Sequence, residues 1–178
     1  QIADSKGLII QVGHLERFNP AVVALRDIIK QPMFIESHRL SIYKDRCTDV
    51  SVVLDLMIHD IDIILNFVRS EIVNIHAAGV PVISGHVDIA NARLEFKSGC
   101  IDNVTARRIS TKNERKIRLF QKNAYISVDF ATHETIILKK EDAGHGGPAP
   151  GIETETRSLP AGDALMDELR SFVRSVKT

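Results

Sequence analysis

The chain has 178 residues, which is enough for one domain with a full hydrophobic core, since domains typically contain roughly 100 to 150 residues. Apolar residues make up 44% of the sequence and charged residues 26%, which is ordinary for a globular protein and excludes a disordered or fibrous chain. Lysine plus arginine equals aspartate plus glutamate, at 23 each, so no global field favours nucleic acid or an anionic membrane.

The first thirteen residues resemble the end of a preceding unit. Residues 2–6 have the pattern of a helix tail, Gly7 is a typical helix stop, and residues 8–12 predict a short apolar strand. A buried parallel strand needs neighbours on both sides, and no earlier strand of the chain can pair with this one. We therefore expect residues 1–13 to be the remnant of an N-terminal α/β domain and residues 14–178 to form the domain proper.

Two helices and a strand are predicted next. Asn19 and Pro20 have the residue types of an N-cap and a first helical position, so a helix begins there and ends before Pro32. Residues 33–43 are rich in aromatic and branched side chains and predict a strand. A second helix is predicted from about residue 51 to 68, and because it is apolar almost all round we expect it to be buried.

The rest of the chain alternates between polar and apolar residues over short segments. Strands are predicted at residues 72–78, 87–96, 101–107, 116–121, 124–130 and 135–140. Their short connections favour hairpins and therefore an α+β fold with a mostly antiparallel sheet. The glycine- and proline-rich residues 144–151 predict a flexible loop, and residues 163–176 predict an amphipathic helix.

Three ionisable residues interrupt the apolar helix at i, i+4 and i+7, namely Asp55, His59 and Asp62. This spacing predicts one polar stripe, whose burial without partners would cost several kcal/mol. The stripe is typical of a structural network that satisfies neighbouring backbone groups. It is equally typical of acid–base chemistry, in which a histidine removes a hydroxyl proton and a carboxylate supports it. A metal site that adds His14 or Glu16 is a third interpretation, although no zinc-ligand spacing is present.

Two motifs resemble a known family. The segment Asp55-Leu-Met-Ile-His59-Asp-Ile-Asp62 resembles the D-x-x-x-H-D-x-D signature of the glucose-fructose oxidoreductase, inositol dehydrogenase and MocA (Gfo/Idh/MocA) family. The segment Gly13-His-Leu-Glu-Arg-Phe-Asn-Pro20 resembles the junction between that family's cofactor and substrate domains. Both motifs look most similar to members that act on nucleotide sugars such as UDP-N-acetylglucosamine.

The resemblance implies a large open, mostly antiparallel sheet with helices packed on one face. This is the fold of the C-terminal domains of dihydrodipicolinate reductase and glyceraldehyde-phosphate dehydrogenase. It also implies an NAD(P)-dependent oxidoreductase that transfers hydride between nicotinamide and a sugar or nucleotide sugar. His59 would handle the hydroxyl proton and Asp55 would support it, while residues 14–178 would form the substrate-binding and oligomerisation domain. The alternative is a non-catalytic assembly module of the same fold.

The chain lacks parts that the family's chemistry needs. NAD or NADP would be bound mainly by a Rossmann domain, of which residues 1–13 would be the remnant, because no G-x-G-x-x-G turn occurs in this sequence. The family's Glu-Lys-Pro motif is also absent, and Ser51 and Val52 stand where many members have paired glycines. We therefore expect no cofactor-binding residues in this chain, little or no activity from it alone, and no metal site.

Five residues are candidates for substrate binding: Arg17, Asn19, Lys44, Arg46 and Asp62. The three basic side chains are suited to the phosphates of a nucleotide sugar, while Asn19 has an equally good explanation as a helix cap.

The expected partners are a small sugar or nucleotide-sugar substrate and a second copy of the chain. A homodimer or homotetramer would form through the exposed face of the sheet, whereas nucleic acid and membranes are not expected partners. The two cysteines, Cys47 and Cys100, do not form a disulfide framework, which favours the reducing cytoplasm.

Overall fold

The structure is a computed structural model that describes residues 1–44, 49–141, 151–158 and 162–177. The helices are α1 (Ile2–Ser5), α2 (Pro20–Leu25), α3 (Ile58–Val68) and α4 (Ala164–Lys177), with a 3-10 turn at Leu15–Phe18 and a π-helical turn at Val53–Met57. The strands are β1 (Pro32–Leu40), β2 (Ile72–Val80), β3 (Ile89–Phe96), β4 (Ile101–Arg107), β5 (Glu114–Gln121), β6 (Ala124–Asp129), β7 (Glu134–Lys140) and β8 (Ile152–Ser158).

The strands of the described residues form one sheet in the order β2-β3-β4-β1-β5-β6-β7-β8. Every neighbouring pair is antiparallel except β1 and β4, which run parallel. The predicted α+β class and the mostly antiparallel sheet are thus confirmed. The parallel pair arises because β1 lies between β4 and β5 in space, and the chain crosses back through α3 before it reaches β4.

Helices α2 and α3 pack against one face of this sheet, which we call the inner face. Inner-face residues such as Ile35, Val104 and Ile117 are almost fully buried and belong to one core cluster with residues of α2 and α3. The outer face carries polar side chains such as Glu36 and Arg118. The alternation along the central strands β1, β4 and β5 therefore separates a buried side that packs on helices from a more exposed side.

The strand predicted for residues 8–12 does not form in the structure. These residues have no strand partner among the described residues, and Ile10 is 76% exposed. The prediction was wrong because local apolar sequence is not sufficient for a strand, which needs a neighbour to accept its backbone hydrogen bonds. The helix tail was correct, since α1 is followed by Gly7 at φ +61.

Two other boundaries differ from the prediction. Helix α2 ends at Leu25 rather than near residue 31, because the N–H groups of Ile28 and Ile29 both bond to the Leu25 carbonyl and tighten the turn. Strand β8 was missed because its sequence alternates between polar residues and has no apolar side. The predicted loop at residues 144–151 lies outside the described residues except for Gly151.

Candidate functional site

The junction segment between residues 14 and 20 is fixed onto the start of α2. The Asn19 side chain accepts a hydrogen bond from the Ala21 N–H at 3.0 Å, and Pro20 occupies the first helical turn. The predicted cap is confirmed. The same side chain donates to Glu16 Oε2 at 3.1 Å, so Asn19 also orients the carboxylate of Glu16.

The signature helix is not regular over its whole length. Residues Val53–Met57 form a π-helical turn and α-helical geometry begins at Ile58, although one α-helix was predicted over 51–68. The wider turn changes the angular offset between Asp55 and His59, so the four-residue spacing no longer stacks them as in an α-helix. Such turns occur frequently at functional sites.

Asp62 is bound by the junction segment. Arg17 donates two hydrogen bonds to its carboxylate, from Nε at 2.7 Å and from Nη2 at 2.5 Å. His14 Nδ1 lies 3.7 Å from the same carboxylate, which is buried. Asp62 in turn raises the pKa of Arg17, whose side chain remains 45% exposed. Two of the residues predicted to bind substrate therefore bind each other.

A second ion-pair cluster was not predicted. It joins Asp60 of α3 to Arg39 of β1, which are 2% and 4% exposed. Arg39 donates to the two Asp60 oxygens at 3.0 and 2.8 Å and to Glu16 Oε1 at 3.2 Å. Burial acts to raise the pKa of Glu16, but Arg39 and Asn19 outweigh it and hold that pKa below its usual range.

The sequence held one signal for this cluster. Arg39 follows Ile35 and Ser37 at alternate positions of β1, and all three are buried on the inner face. A charged residue in an inward-facing series indicates a buried partner. The composition of residues 33–43 predicted the strand without showing which of its two sides faces the core, so Arg39 was not predicted as a buried residue.

His59 lies half-buried beside this cluster. Its Nδ1 is buried and bonds to no described residue. Burial, followed by the positive charge of Arg39, lowers the pKa of His59 against the opposing effect of Glu16 and Asp60. The imidazole is therefore largely neutral at pH 7 and able to accept a proton.

Asp55 is half-buried on the π-helical turn. Among the described residues, its side chain forms no hydrogen bond or ion pair, and none links it to His59. The structure therefore leaves both side chains unpaired and does not join them directly.

The two remaining candidates lie at the end of β1. Lys44 is exposed and lines a cleft of about 270 Å³ between the end of β1, the π-helical turn and the start of β5. Arg46 lies outside the described residues, as does Cys47. The cleft also contains Arg39, so it borders the ion-pair cluster.

The described residues contain neither a cluster arranged to bind a metal ion nor a helix that could span a membrane. No group of three or more His, Cys, Asp or Glu side chains there is arranged to hold a metal ion. None of the helices in that part of the chain has the length and apolar character needed to cross a bilayer.

Comparison with known sequences identifies similar proteins. Residues 28–127 match the sequence profile of the GFO/IDH/MocA C-terminal domain. UDP-N-acetylglucosamine 3-dehydrogenase from Acidithiobacillus ferrooxidans is 32% identical over 176 residues. That match covers 98% of this chain and 56% of the relative, so the chain spans about half the length of that protein.

Solved structures show the same architecture. A structure of UDP-N-acetylglucosamine 3-dehydrogenase GnnA from Acidithiobacillus ferrooxidans superposes with a TM-score of 0.88 at 32% identity, covering 99% of this chain and 56% of that one. A super-repressor mutant of Gal80p from Saccharomyces cerevisiae superposes with a TM-score of 0.78 at 11% identity, covering 98% of this chain and 52% of that one. The second likeness shows the fold alone.

Proposed function

The chain belongs to the GFO/IDH/MocA family as a C-terminal domain, and we propose that it is the substrate-binding domain of a nicotinamide-dependent oxidoreductase. Its substrate is a sugar or nucleotide sugar, of the kind named for the UDP-N-acetylglucosamine 3-dehydrogenase that is 32% identical to it. Residues 14–178 form this domain, and residues 1–13 are the end of a Rossmann domain.

The observation that carries the proposal is the state of His59. It stands on the signature helix, half-buried, with a lowered pKa and no hydrogen bond to its ring from the described residues. A neutral imidazole is suited to accept the hydroxyl proton of an alcohol as its carbon loses hydride. Asp55, unpaired on the preceding turn, supports the charge that His59 then carries.

The hydride acceptor lies outside this domain. Bound nicotinamide (NAD or NADP) would supply the hydride acceptor, and a Rossmann domain would hold most of it, since this sequence has no G-x-G-x-x-G turn. The chain's own residues hold the sugar, accept the proton and fix the junction segment through Glu16 and Arg17. The domain alone is expected to have little or no activity.

The test is His59→Gln in the complete enzyme. We expect kcat for a nucleotide sugar to fall by about 10²- to 10⁴-fold, because general-base catalysis contributes that much. The matched control is His76→Gln, an exposed histidine of β2, which should retain full turnover. Substrate binding that survives in His59→Gln together with unchanged kcat would show that His59 is not the base.

The pH profile gives a second reading of the same site. Because burial and Arg39 lower the pKa of His59, the imidazole stays neutral below its ordinary value of 6.5. We expect kcat/KM to fall only below that pH. A limb that titrates above pH 6.5 would contradict the assignment of His59 as the base.

We propose that two or four copies associate through the outer face of the sheet. That face carries a cluster of Phe34, Phe120 and Tyr125, with ring centroids 5.9 and 5.0 Å apart, and no helix of the described residues covers it. Phe120→Arg should therefore reduce the mass measured by light scattering.

The free buried thiol of Cys100 supports a reducing, cytoplasmic location. If His59→Gln left turnover intact while Phe120→Arg abolished it, the assembly-module alternative would be favoured.

A further inference from the structure

Positively charged side chains outnumber carboxylates along the cleft at the start of β5. Arg39 and Arg115 are direct partners across the antiparallel β1–β5 pair, and both lie on the inner face. Like charges directly opposite each other on a sheet are destabilising. Such a pair indicates that anionic groups accompany it.

The protein's own carboxylates satisfy only one of these arginines. Arg39 bonds to Asp60 and to Glu16, with its nearest Glu16 distance at 3.2 Å. Arg115 reaches the same Glu16 oxygen only at 3.9 Å, and its side chain is 56% exposed. Arg115 is therefore a cation held beside the ion-pair cluster without a close partner of its own among the described residues.

Two further polar groups face the same cleft. Lys44 lines it and bonds to no described residue. Asn113 also lines it, and its side-chain oxygen accepts from the Ile42 N–H at 3.1 Å, which fixes the amide and leaves its nitrogen available to donate. The one carboxylate of the lining, Glu114, is neutralised by Lys112 at 2.5 Å.

We infer that this cleft binds the diphosphate group of a nucleotide, with Arg115 and Lys44 as its cationic ligands. The inference rests on the proposed function, which places a nucleotide sugar near His59. A guanidinium presents a planar set of donors that suits phosphate, and Lys44 adds a point charge. The volume of about 270 Å³ is smaller than the roughly 300 to 1,000 Å³ of a typical ligand pocket, so the cleft holds part of the nucleotide.

This assignment replaces Arg17 as the main phosphate ligand. Both Arg17 donors toward the helix are used by Asp62 at 2.7 and 2.5 Å. Arg115 was not singled out from the sequence, because its partner strand and its position beside Arg39 depend on the pairing of β1 with β5.

The test measures binding of UDP and of NADH to this chain by calorimetry at low salt. Arg115→Gln should weaken the affinity for a diphosphate nucleotide about tenfold, the effect of losing one good charged contact. The matched control is Lys122→Gln, an exposed cation that follows the opposite end of the same strand, and it should change nothing. Lys44→Gln should weaken binding severalfold.

The two nucleotides distinguish the source of the diphosphate. Loss of UDP affinity in Arg115→Gln assigns the site to the substrate, and loss of NADH affinity assigns it to the cofactor. The inference is overturned if Arg115→Gln binds both nucleotides as the unmodified chain does, if Lys122→Gln loses as much affinity, or if the chain binds neither.

Kinetics of the complete enzyme separate this inference from the proposed function. Arg115→Gln should raise KM for the nucleotide about tenfold with kcat changed less than about twofold, because the lost contact binds ground state and transition state alike. A normal KM in Arg115→Gln together with a large loss of kcat in His59→Gln would contradict the diphosphate site and support the proposed oxidoreductase function. UDP binding that depends on Arg115, in a protein that does not turn over nucleotide sugars, would support the diphosphate site and contradict the proposed function.

Discussion

Two fully buried aspartates in this domain have opposite surroundings. Asp88, at the end of the loop between β2 and β3, and Asp102 of β4 are both 0% exposed. The Asp88 carboxylate accepts hydrogen bonds from the backbone N–H groups of Val82, Ile83 and Ser84 at 2.8, 2.7 and 2.9 Å, and from the Ser84 hydroxyl at 2.5 Å. Neither oxygen of Asp102 bonds to a described residue.

Their protonation states differ accordingly. Burial acts to raise the pKa of Asp88, but the Ser84 hydroxyl and the three N–H groups outweigh it and hold that pKa well below its usual range. Burial and the negative charge of Asp60 raise the pKa of Asp102 to about 8. The number of hydrogen-bond donors, rather than burial alone, therefore decides whether a buried carboxyl group is charged.

The two carboxyls also serve different parts of the fold. Asp88 clamps its loop, and the neighbouring Val87 carbonyl accepts from the Val52 N–H at 2.9 Å, so the clamp supports the start of the signature helix. Asp102 lies on the inner face, close enough to Asp60 of the ion-pair cluster for that negative charge to raise its pKa. The Asp102 carboxyl, which has no hydrogen-bond partner among the described residues, therefore lies near the candidate site. Functional sites are where unfavourable features such as unpaired buried polar groups most often occur.

The largest expected effect comes from removing the hydrogen-bond donors of Asp60, which would leave its carboxylate without a partner like that of Asp102. Arg39→Met removes both donors to Asp60, and breaking a buried ion pair should lower the free energy of unfolding by about 3 to 5 kcal/mol. Urea denaturation would measure the loss. Arg93→Met, at an outer-face arginine whose side chain is 40% exposed, is the control and should change stability by less than about 0.5 kcal/mol. A loss no larger than the control's would show that the cluster is not a buried pair.

The next effect is a pH dependence at Asp102. Its pKa is about 8 in the folded chain against an ordinary 3.8, so its stabilising effect is complete below pH 3.8 and is lost as pH rises toward 8. Asp102→Asn removes this titration, so its stability relative to the unmodified chain should rise by about 1.4 kcal/mol per pH unit, or about 3 kcal/mol between pH 5 and 7. Denaturation midpoints at several pH values would test this. Parallel pH curves for the two proteins would mean that Asp102 titrates normally.

The same substitution at Asp88 should act in the opposite direction. Asp88→Asn keeps one acceptor oxygen for the three N–H groups. It puts a donor amide in place of the oxygen that accepts from the Ser84 hydroxyl and lies 3.7 Å from Arg108 Nε, which should lower the free energy of unfolding by about 2 kcal/mol at pH 7. Because the folded pKa of Asp88 is lowered, its stabilisation is present above the ordinary value of 3.8 and is lost as pH falls below it. The difference from Asp88→Asn should therefore shrink in acid. If Asp88→Asn and Asp102→Asn changed stability equally at each pH, the two carboxyl groups would not differ in charge as described.

The smallest effect isolates a single donor. Ser84→Ala removes the hydroxyl that donates to Asp88 and leaves the three N–H groups in place, so we expect a loss of about 1 kcal/mol. Thermal unfolding would measure it. A Ser84→Ala chain as unstable as Asp88→Asn would show that the hydroxyl dominates the clamp.

Much of the fold followed from local pattern. Capping and alternation depend on neighbours in sequence, and they predicted the Asn19 cap, the long apolar helix and the six strands β2 to β7, whose ends differ slightly from the predicted ones. The prediction of a strand at residues 8–12 was wrong and β8 was not predicted, for related reasons. The first had apolar residues without a partner strand, and the second had a partner strand without apolar residues.

The sequence by itself determined the signature helix, the residue types on it and the family to which the chain belongs. Tertiary structure alone decided which charges meet, since Arg17 is 45 residues from Asp62 and Arg39 is 21 residues from Asp60. It also set the parallel β1–β4 pair and left Asp102 without a donor. Periodicity specifies which side chains face the core, whereas the neighbour that each one meets there depends on how distant segments pack.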